Sequence, residues 1–459
     1  IREWWESQDE ITLITRPRRF GKTLNMDMLN CFFSNRYECR GDLFEGLAIW
    51  KEEKYRDLQG KYPVIYLSFA DVKQENYADA VAKIKRIIAN VFQQNIFLAT
   101  SDKLTKMQKE QFESVNPEMD DVTAQSSLQE LSQYLTQFYG RKVLILLDEF
   151  DTPMQEAYVN GYWEQFTAFI RSLFNSTFKT NPYLERAMMT GITRVSKESI
   201  FSDLNNLNVV TTTSEAYATC FGFTEREVFD ALAEFGLENQ KTLVKQWYDG
   251  FVFGEHRDIY NPWSILNYAS RKVLEPYWVN TSSNIMIKKA ISSSDEAFER
   301  GYEELIRNGK LETTVKMDTS FFEVNNTENL WGLLVNAGYL TLHKTISIQD
   351  SLYIIKIPNQ EVQLEFRKLT AYHLKATETD LTVLFNSLKR CKKEDFEDRY
   401  RKILLTLPSY HDLKDENSYH MMLLGMCAWL SNDYEVISNR EVGKGRCDII
   451  LKSKKNQIS

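Results

Sequence analysis

Largely apolar stretches, each ending in polar residues, occur at intervals in the first half of the chain. They lie at residues 12–14, 62–69, 143–147 and 187–194. Because such runs have no polar face, they are typical of strands buried on both sides, as in a parallel sheet. Apolar residues at helical spacing predict the helices that run from residue 22, over roughly 75–140 with a polar interruption near 116–125, and over 151–178. The alternation predicts an α/β fold with a parallel sheet.

The pattern changes in the second half of the chain. A helix is predicted from Thr224, which Glu227 follows at the spacing of a capping box. Glycines and an Asn-Pro step mark turns within residues 247–266. A helix near 330–336 followed by a hairpin over 338–357 is typical of a winged-helix-like module. Such modules bind DNA in some proteins and serve for packing or signalling in others, and the apolar hairpin favours packing here.

Composition narrows the class of protein. The 459 residues are 43% hydrophobic, which is ordinary for a globular chain of two to four domains. No apolar run reaches the roughly 18 residues of a membrane helix, and the start of the chain, at Ile1, does not resemble a signal peptide. The six cysteines show no CxxC spacing, so we expect a cytoplasmic protein without a zinc site. A net charge of −8 gives no global attraction to nucleic acid.

The first apolar run leads into Gly21-Lys22-Thr23, which opens a predicted helix. This order is that of a phosphate-binding P-loop. Gly21 would let the backbone approach phosphate oxygens, Lys22 would reach the outer phosphates, and the Thr23 hydroxyl would hold Mg²⁺. The usual pattern has a glycine five positions before Gly21, where this chain has Arg16. The alternative is an ordinary strand-to-helix turn with a solvated lysine.

Two carboxylates follow the apolar run at 143–147. Asp148 and Glu149 would lie at the carboxyl end of a parallel strand, where open α/β sheets bind ligands. Asp148 could then hold Mg²⁺, and Glu149 could orient or deprotonate the attacking water. Without the phosphate loop, a core strand entering a polar loop would explain them equally well. The two motifs together, in this order, favour a P-loop ATPase.

The run at 187–194 would supply the neighbouring strand. Thr190 or Thr193 could hydrogen-bond the attacking water or the γ-phosphate, and Arg194 could stabilise charge there. Equally, Thr190 could cap the strand and Arg194 could form a surface ion pair.

The stretch Arg-Pro-Arg-Arg-Phe-Gly-Lys-Thr at 16–23, with Asp-Glu-Phe-Asp-Thr-Pro at 148–153, resembles the AAA-ATPase-like family of prokaryotic proteins. Members usually carry a C-terminal PD-(D/E)XK nuclease domain, and the arginine-rich loop is their normal phosphate loop. The resemblance implies ATP and Mg²⁺ as ligands, with Arg19 and Phe20 joining the nucleotide-binding residues Gly21, Lys22, Thr23 and Thr190, and Glu149, Lys22 and Arg194 as catalytic residues. It implies the domains 1–223 (ATPase core), 224–275 (helical lid), 276–365 (winged-helix-like module) and 366–459 (connector and partial nuclease-like domain).

The C-terminal pattern resembles the first half of a PD-(D/E)XK core of restriction-endonuclease type. A strand at 434–441, a Gly-x-Gly-Arg turn and a strand carrying Asp448 follow an apolar helix. In that family Asp448 and Glu416 would bind Mg²⁺, which would activate water for phosphodiester attack. By itself the pattern is also that of a β-hairpin with a solvated Asp448. The Glu-x-Lys strand that the family places next does not occur before Ser459, so we expect an incomplete nuclease site in this chain.

We therefore expect an Mg²⁺-dependent ATPase coupled to a nuclease-like module. The alternatives are a nucleotide-gated signalling or scaffold switch with little turnover, and a nucleic-acid-processing nuclease regulated by ATP. The expected partners are ATP and, through the C-terminal module, DNA or RNA, but no membrane. The sequence leaves open whether the chain forms a homo-oligomer.

Overall fold

The computed structural model describes residues 1–193, 204, 206–278, 287–288, 291, 295–317, 326–373, 377–406, 423, 426–430, 434–442 and 445–453. Two compact units divide the chain. Unit 1 comprises Ile1–Gly222 with the short segments Phe253–His256 and Met317–Phe322. Unit 2 comprises Phe223–Val252, Arg257–Lys316 and Glu323–Ser459.

A five-stranded parallel sheet forms the centre of unit 1. Its strands are β1 (Ile11–Thr15), β2 (Val64–Ser68), β3 (Val143–Asp148), β4 (Leu184–Gly191) and β5 (Leu207–Val210). Their order is β2-β3-β4-β1-β5, and every pairing is parallel. The predicted α/β fold with a parallel sheet is thereby confirmed, and the strand from the run at 187–194 does lie beside the strand that carries Asp148.

Helices and aromatic residues surround this sheet. The α-helices of unit 1 are α1 (Arg2–Glu6), α2 (Lys22–Phe33), α3 (Glu53–Arg56), α4 (Tyr77–Gln93), α5 (Lys106–Ser114), α6 (Asp121–Tyr139), α7 (Thr152–Asn160) and α8 (Trp163–Phe174). All residues of β1 and β3 are buried, as their apolar sequences require. One face of α2 packs on β3 through Met26, Leu29 and Phe32. This packing fixes the start of α2 at the carboxyl edge of the sheet.

One predicted helix is interrupted, and a second predicted helical region divides into more helices than expected. The prediction of a single helix over 151–178 is wrong. The helix is interrupted at Gly161, between α7 and α8, and α8 is followed by a π-helical turn at Asn175–Lys179. Gly161 adopts a φ of +80°, a left-handed conformation that terminates a helix. The region 75–140 divides into α4, α5 and α6. The break between α5 and α6 lies near the predicted polar interruption, whereas the break between α4 and α5, which contains a 3₁₀ turn at Ile96–Thr100, was not predicted.

Unit 2 mixes helices with small antiparallel sheets. The strands that lie wholly or mostly in unit 2 are β6 (Phe223–Thr224), β7 (Phe251–Phe253), β8 (His256–Tyr260), β9 (Lys310–Thr314), β10 (Thr341–Ser347), β11 (Leu352–Lys356), β12 (Tyr434–Val442) and β13 (Gly445–Ser453). Its α-helices are α9 (Glu225–Glu234), α10 (Lys241–Tyr248), α11 (Pro262–Arg271), α12 (Glu296–Asn308), α13 (Thr327–Asn336), α14 (Gln360–His373), α15 (Glu378–Lys389) and α16 (Lys393–Thr406).

Several local predictions for unit 2 are confirmed. Thr224 caps α9 in a capping box with Glu227. The hairpin of β10 and β11 follows α13 and pairs with β9. The region 224–275, expected to be a helical lid, also contains a three-stranded sheet in the order β6-β8-β7. The domain boundaries, the winged-helix-like module and the restriction-endonuclease-like module stay predictions.

The C-terminal hairpin of β12 and β13 has its own hydrophobic cluster. Leu381 and Leu384 of α15 and Ile403 of α16 are its buried centre, and Ile449 and Leu451 of β13 pack against it. The two helices and the hairpin therefore share one core.

No helix within the described ranges is long and apolar enough to span a membrane.

Candidate functional site

The predicted nucleotide site gathers at the carboxyl edge of the unit 1 sheet. The Thr23 hydroxyl donates a 2.7 Å hydrogen bond to Asp148 Oδ2. Thr23 belongs to the first turn of α2, and Asp148 is the last residue of β3. The phosphate loop, defined here as residues 16–23, and the carboxylate pair therefore meet, as their sequence order predicted.

The loop enters α2 through a glycine in the left-handed backbone conformation, which favours glycine. Gly21 is the N-cap of α2 with a φ of +80°, and Arg19 also has a positive φ of +64°. Their turn leaves the first N–H groups of α2 without helical partners, which is the arrangement that binds anions. Phe20 is fully buried and stacks edge-on against Phe253, with ring centroids 5.2 Å apart. Phe20 could thus contact a phosphate through its backbone only.

Lys22 is folded back onto its own loop. Its Nζ donates to the carbonyl oxygens of Arg16 and Pro17, each at 2.9 Å. Burial lowers the pKa of Lys22 to about 8, and the charges of Glu149 and Asp151 oppose that shift. Below that pKa the ammonium carries its proton, so a buried cation stands beside the anion-binding turn.

Arg16 does not take part in phosphate binding through its side chain. The guanidinium is fully buried and donates to the carbonyl oxygens of Thr15 (3.0 Å), Thr211 (2.6 Å) and Tyr217 (3.4 Å). Arg16, which replaces the expected glycine, thus directs its side chain away from the phosphate loop and towards residues 211–217 of the same unit. This explains how a long basic side chain is accommodated there.

Glu149 stands next to Asp148 in a constrained backbone conformation. Its φ is +51°, which is uncommon outside glycine. Its N–H donates to Thr190 Oγ1 at 3.2 Å, and its carboxylate accepts a hydrogen bond of 3.1 Å from the Thr152 hydroxyl. Its side chain is half-buried, so water can reach it.

Thr190 contacts the carboxylate pair directly. Its hydroxyl donates to Asp148 Oδ1, so Asp148 accepts from Thr190 on one oxygen and from Thr23 on the other. Thr193, the other candidate for the attacking water, instead donates to Asp151 Oδ2 at 3.2 Å.

Asp151 is a site residue that the sequence reasoning missed. It is buried, and its Oδ2 accepts hydrogen bonds from the N–H groups of Ile192 (2.9 Å) and Thr193 (3.0 Å) and from Gln155 Nε2 (3.0 Å). Burial raises the pKa of Asp151. The carboxylate joins the start of α7 to the chain leaving β4. Its place three residues after Asp148, in a run of acidic residues, was the available signal.

The side chains at this edge fit Mg²⁺ and a nucleoside triphosphate. Mg²⁺ prefers oxygen ligands, and the Thr23 hydroxyl and the Asp148 carboxylate are two hard oxygen donors in contact. Lys22 and the start of α2 supply the positive charge that phosphates need. A Cβ on Gly21 would meet only Asn25 Nδ2, at 3.8 Å, so the turn is open on that side.

A second group of carboxylates lies in unit 2. Glu225, Asp249 and Asp258 place their oxygens within 4.8 Å of one another. The Lys245 ammonium lies among them, hydrogen-bonded to Glu225, 3.4 Å from Asp258 Oδ2 and 3.7 Å from Asp249 Oδ2. Burial raises the pKa of Asp249 to about 7. A lysine supplies the positive charge that a metal ion would otherwise bring.

Comparison with known families agrees with the geometry. Residues 1–201 match the family model described as a predicted AAA-ATPase. The resemblance to the predicted AAA-ATPase family is confirmed. Residues 414–459 match the PD-(D/E)XK nuclease superfamily. The region that matches the AAA-ATPase-like family thus falls within the sequence range of unit 1 and contains Lys22, Asp148 and Glu149.

One curated relative has a related sequence over much of the chain. It is an uncharacterized protein in the vnfD 5' region of Azotobacter chroococcum mcd 1, 26% identical over 355 residues. The alignment covers 76% of this chain and 61% of that protein, so the chain spans less than two thirds of the relative's length. No solved structure matches significantly.

Three predicted site residues lie wholly or partly outside the described part of the chain. Arg194, which belongs to the matched region 1–201, and Glu416 are not among the described residues. The backbone of Asp448 lies in β13, paired with β12, but its side chain is outside the description. Their roles stay predictions.

Proposed function

We propose that the AAA-ATPase-like region binds ATP with Mg²⁺ and hydrolyses it. The observation that carries the proposal is the hydrogen bond from Thr23 to Asp148, beside the buried Lys22 ammonium and next to Glu149. A strand-to-helix turn without a ligand would need neither a buried lysine nor a carboxylate shared by two hydroxyls. The family match at residues 1–201 supports the same conclusion.

Each residue at the site has a distinct role in this proposal. Lys22 exchanges its carbonyl partners for the outer phosphates, while the N–H groups at the start of α2, after Gly21, bind phosphate oxygens. Thr23 and Asp148 hold Mg²⁺, which neutralises phosphate charge when bound. Thr190 keeps the Asp148 carboxylate oriented through the bond to its other oxygen.

Glu149 is the proposed general base. It follows the proposed metal-binding carboxylate directly, and its half-buried carboxylate accepts a hydrogen bond from the neutral Thr152 hydroxyl. It would accept the proton of the attacking water. Arg194, three residues after the end of β4, is proposed to stabilise the charge that develops on the transferred phosphate.

The remaining modules are proposed to respond to the nucleotide. Residues 224–275 would act as the lid and residues 276–365 as the winged-helix-like module. The C-terminal module would hold Mg²⁺ through Asp448 and Glu416 and act on DNA or RNA; its support is the family match at 414–459.

The ATPase proposal is tested by measuring Mg²⁺-ATP binding and hydrolysis. Lys22→Ala should weaken ATP binding roughly tenfold to a hundredfold, because it removes charge-assisted hydrogen bonds. Glu149→Gln should retain binding and lose turnover by about 10²-fold or more. Lys106→Ala is the matched control, since that lysine is 92% exposed on α5.

The outcomes separate three conclusions. Binding that depends on Lys22, with turnover that depends on Glu149, supports the ATPase. Binding without turnover in the wild-type chain would instead support the nucleotide-gated switch. No binding at millimolar ATP would reject the site.

The C-terminal metal site needs its own experiment. Mn²⁺ can report Mg²⁺ sites by paramagnetic resonance, and Asp148→Asn should remove the ATPase site from the titration. Adding Asp448→Asn should then remove the remaining protein site. Retention of that site in the double variant would contradict the assignment of Asp448.

A further inference from the structure

Arg16 connects the phosphate loop to residues 211–217 of unit 1. The proposed ATP hydrolysis does not require this connection. Its guanidinium donates to Thr211 O and Tyr217 O, 195 and 201 positions away in the sequence. Burial lowers the pKa of Arg16 only to about 10, so the side chain stays charged at neutral pH. Its hydrogen bonds to Thr15, Thr211 and Tyr217 all end on backbone carbonyl groups, so the charged guanidinium orients the main chain.

The same guanidinium also contacts aromatic rings. Its central carbon lies 4.9 Å from the ring centroid of Phe253 and 5.7 Å from that of Phe221. Phe253 in turn packs on Phe20 of the phosphate loop. A buried cation over aromatic faces is a favourable arrangement that a neutral side chain could not reproduce.

Phe253 begins the tip segment Phe253–His256, which clusters with unit 1. Gly254 N donates to Thr212 O and Glu255 N donates to Glu215 Oε2, both at 2.9 Å. His256 Nε2 lies 2.9 Å from Glu215 Oε1. The tip is therefore held by the same stretch of chain, residues 211–217, that Arg16 binds.

The main chain of Arg16 faces the phosphate loop at its other end. Its carbonyl accepts a hydrogen bond from Lys22, and its N–H donates to Gly191 O at 3.2 Å. When Lys22 turns to a phosphate, the Arg16 carbonyl loses that partner. A movement of Lys22 in the phosphate loop therefore changes the hydrogen bonds of Arg16, the residue that contacts the chain holding the tip segment.

We propose that Arg16 is a positioning residue that links nucleotide binding at the phosphate loop to the seating of the tip segment Phe253–His256. The proposal rests on the proposed ATP binding and adds to it a route for regulation. Because such coupling is reciprocal, ATP must tighten the tip by the same factor as a seated tip tightens ATP binding.

Hydrogen exchange of the full chain tests one direction of this coupling. With saturating Mg²⁺-ATP, the exchange of the amides of Gly254 and Glu255 should be slower than without it by a factor of about five or more.

Phe253→Leu tests the other direction, because it removes the ring that the Arg16 guanidinium contacts and should weaken ATP binding by a similar factor. Arg16→Lys keeps the charge but loses the planar fork, and should reduce both effects.

Arg186→Lys is the matched control. Arg186 also donates to a backbone carbonyl, Trp4 O at 2.9 Å, and lies 4.9 Å from an aromatic ring, that of Trp5. Arg186 is half-buried, whereas Arg16 is fully buried. A general loss of an arginine that binds a carbonyl group and an aromatic ring would nevertheless affect both variants. We expect Arg186→Lys to leave both the exchange change and ATP affinity as in the wild type.

The two proposals fail in distinguishable ways. Absence of ATP binding that depends on Lys22 would overturn the proposed function and the coupling with it. Binding that depends on Lys22, combined with unchanged exchange at Gly254 and Glu255, would overturn the coupling alone. Equal loss of affinity in Arg16→Lys and Arg186→Lys would also overturn it.

Discussion

The Thr23 hydroxyl and the Asp148 carboxylate are hydrogen-bonded across 125 positions of sequence. They come from elements attached to β1 and β3, which are not neighbours in the sheet, because β4 lies between them. The carboxyl edge of the sheet thus brings together the phosphate loop after β1, the end of β3 and, through Thr190, the strand β4 that lies between them.

We expect Thr23→Val to lose Mg²⁺-dependent ATP binding, whereas Thr23→Ser retains it. Valine has nearly the same shape but no hydroxyl for the metal or for Asp148. The loss should be roughly tenfold or more, as for a hydrogen bond to a charged group. Titration of ATP at several Mg²⁺ concentrations measures it. Equal affinities for the valine and serine variants would argue against a hydroxyl ligand.

Thr190→Val should lower both stability and turnover. The buried Asp148 carboxylate would lose the donor to one of its oxygens, at a cost of about 1–3 kcal/mol. Thr190→Ser keeps the donor and is the control. Urea denaturation and ATP hydrolysis are the measurements. A valine variant as active as the serine variant would show that Thr190 does not orient Asp148.

Gly191→Ala should be destabilising although its backbone conformation is ordinary. A Cβ there would lie 2.6 Å from the Phe150 ring and 2.9 Å from Asp151 Oδ1. Such overpacking costs about 1–3 kcal/mol, and it would displace the acidic stretch that contains Glu149. We therefore expect lower turnover as well as a lower melting temperature.

Gly140→Ala is the control for that substitution. Gly140 has a φ of +68° and open space around it, so alanine there adds backbone strain without touching the site. It should cost stability, roughly 1 kcal/mol, but not turnover. Equal turnover in the two alanine variants would contradict the steric argument.

Glu361 should make the stability of unit 2 depend on pH. Its carboxylate is buried, accepts from Trp278 N at 2.7 Å and from the Ser264 hydroxyl, and burial raises its pKa to about 7. Because the folded pKa exceeds the ordinary value, the protonated form contributes stability that is complete below about pH 4.5 and is lost as pH rises towards 7. The total is roughly 3 kcal/mol.

Replacing the carboxyl by an amide should remove that dependence. Urea denaturation followed by circular dichroism should show a flatter stability profile between pH 5 and 8 for Glu361→Gln than for the wild type. Glu304→Gln is the control, since Glu304 is exposed on α12. Parallel profiles for the wild type and Glu361→Gln would show that Glu361 titrates normally.

The sequence was sufficient where chemistry and local pattern coincide. The apolar runs before Gly21 and Asp148 predicted buried parallel strands, because a strand covered on both faces needs no polar residue. Their order then placed Thr23 and Asp148 at one edge. Thr224 and its capping box were equally local and equally predictable.

The sequence was insufficient where a residue depends on distant backbone. Arg16 was recognised as a departure from the P-loop pattern. Its hydrogen-bond partners could not be predicted, because they are backbone carbonyl groups, which every residue possesses. Asp151 was missed for the same reason, since two of its hydrogen bonds come from the main-chain N–H groups of Ile192 and Thr193, beyond β4. The break at Gly161 was missed because the aromatic spacing continues across it.

The shared core of α15, α16 and the C-terminal hairpin has a practical consequence. The nuclease family match begins at residue 414, yet Ile449 and Leu451 pack against Leu381, Leu384 and Ile403, which precede it. A fragment excised at the family boundary would present these side chains to water and should aggregate or be digested by proteases. A fragment that starts before Thr377, the N-cap of α15, would keep the cluster whole.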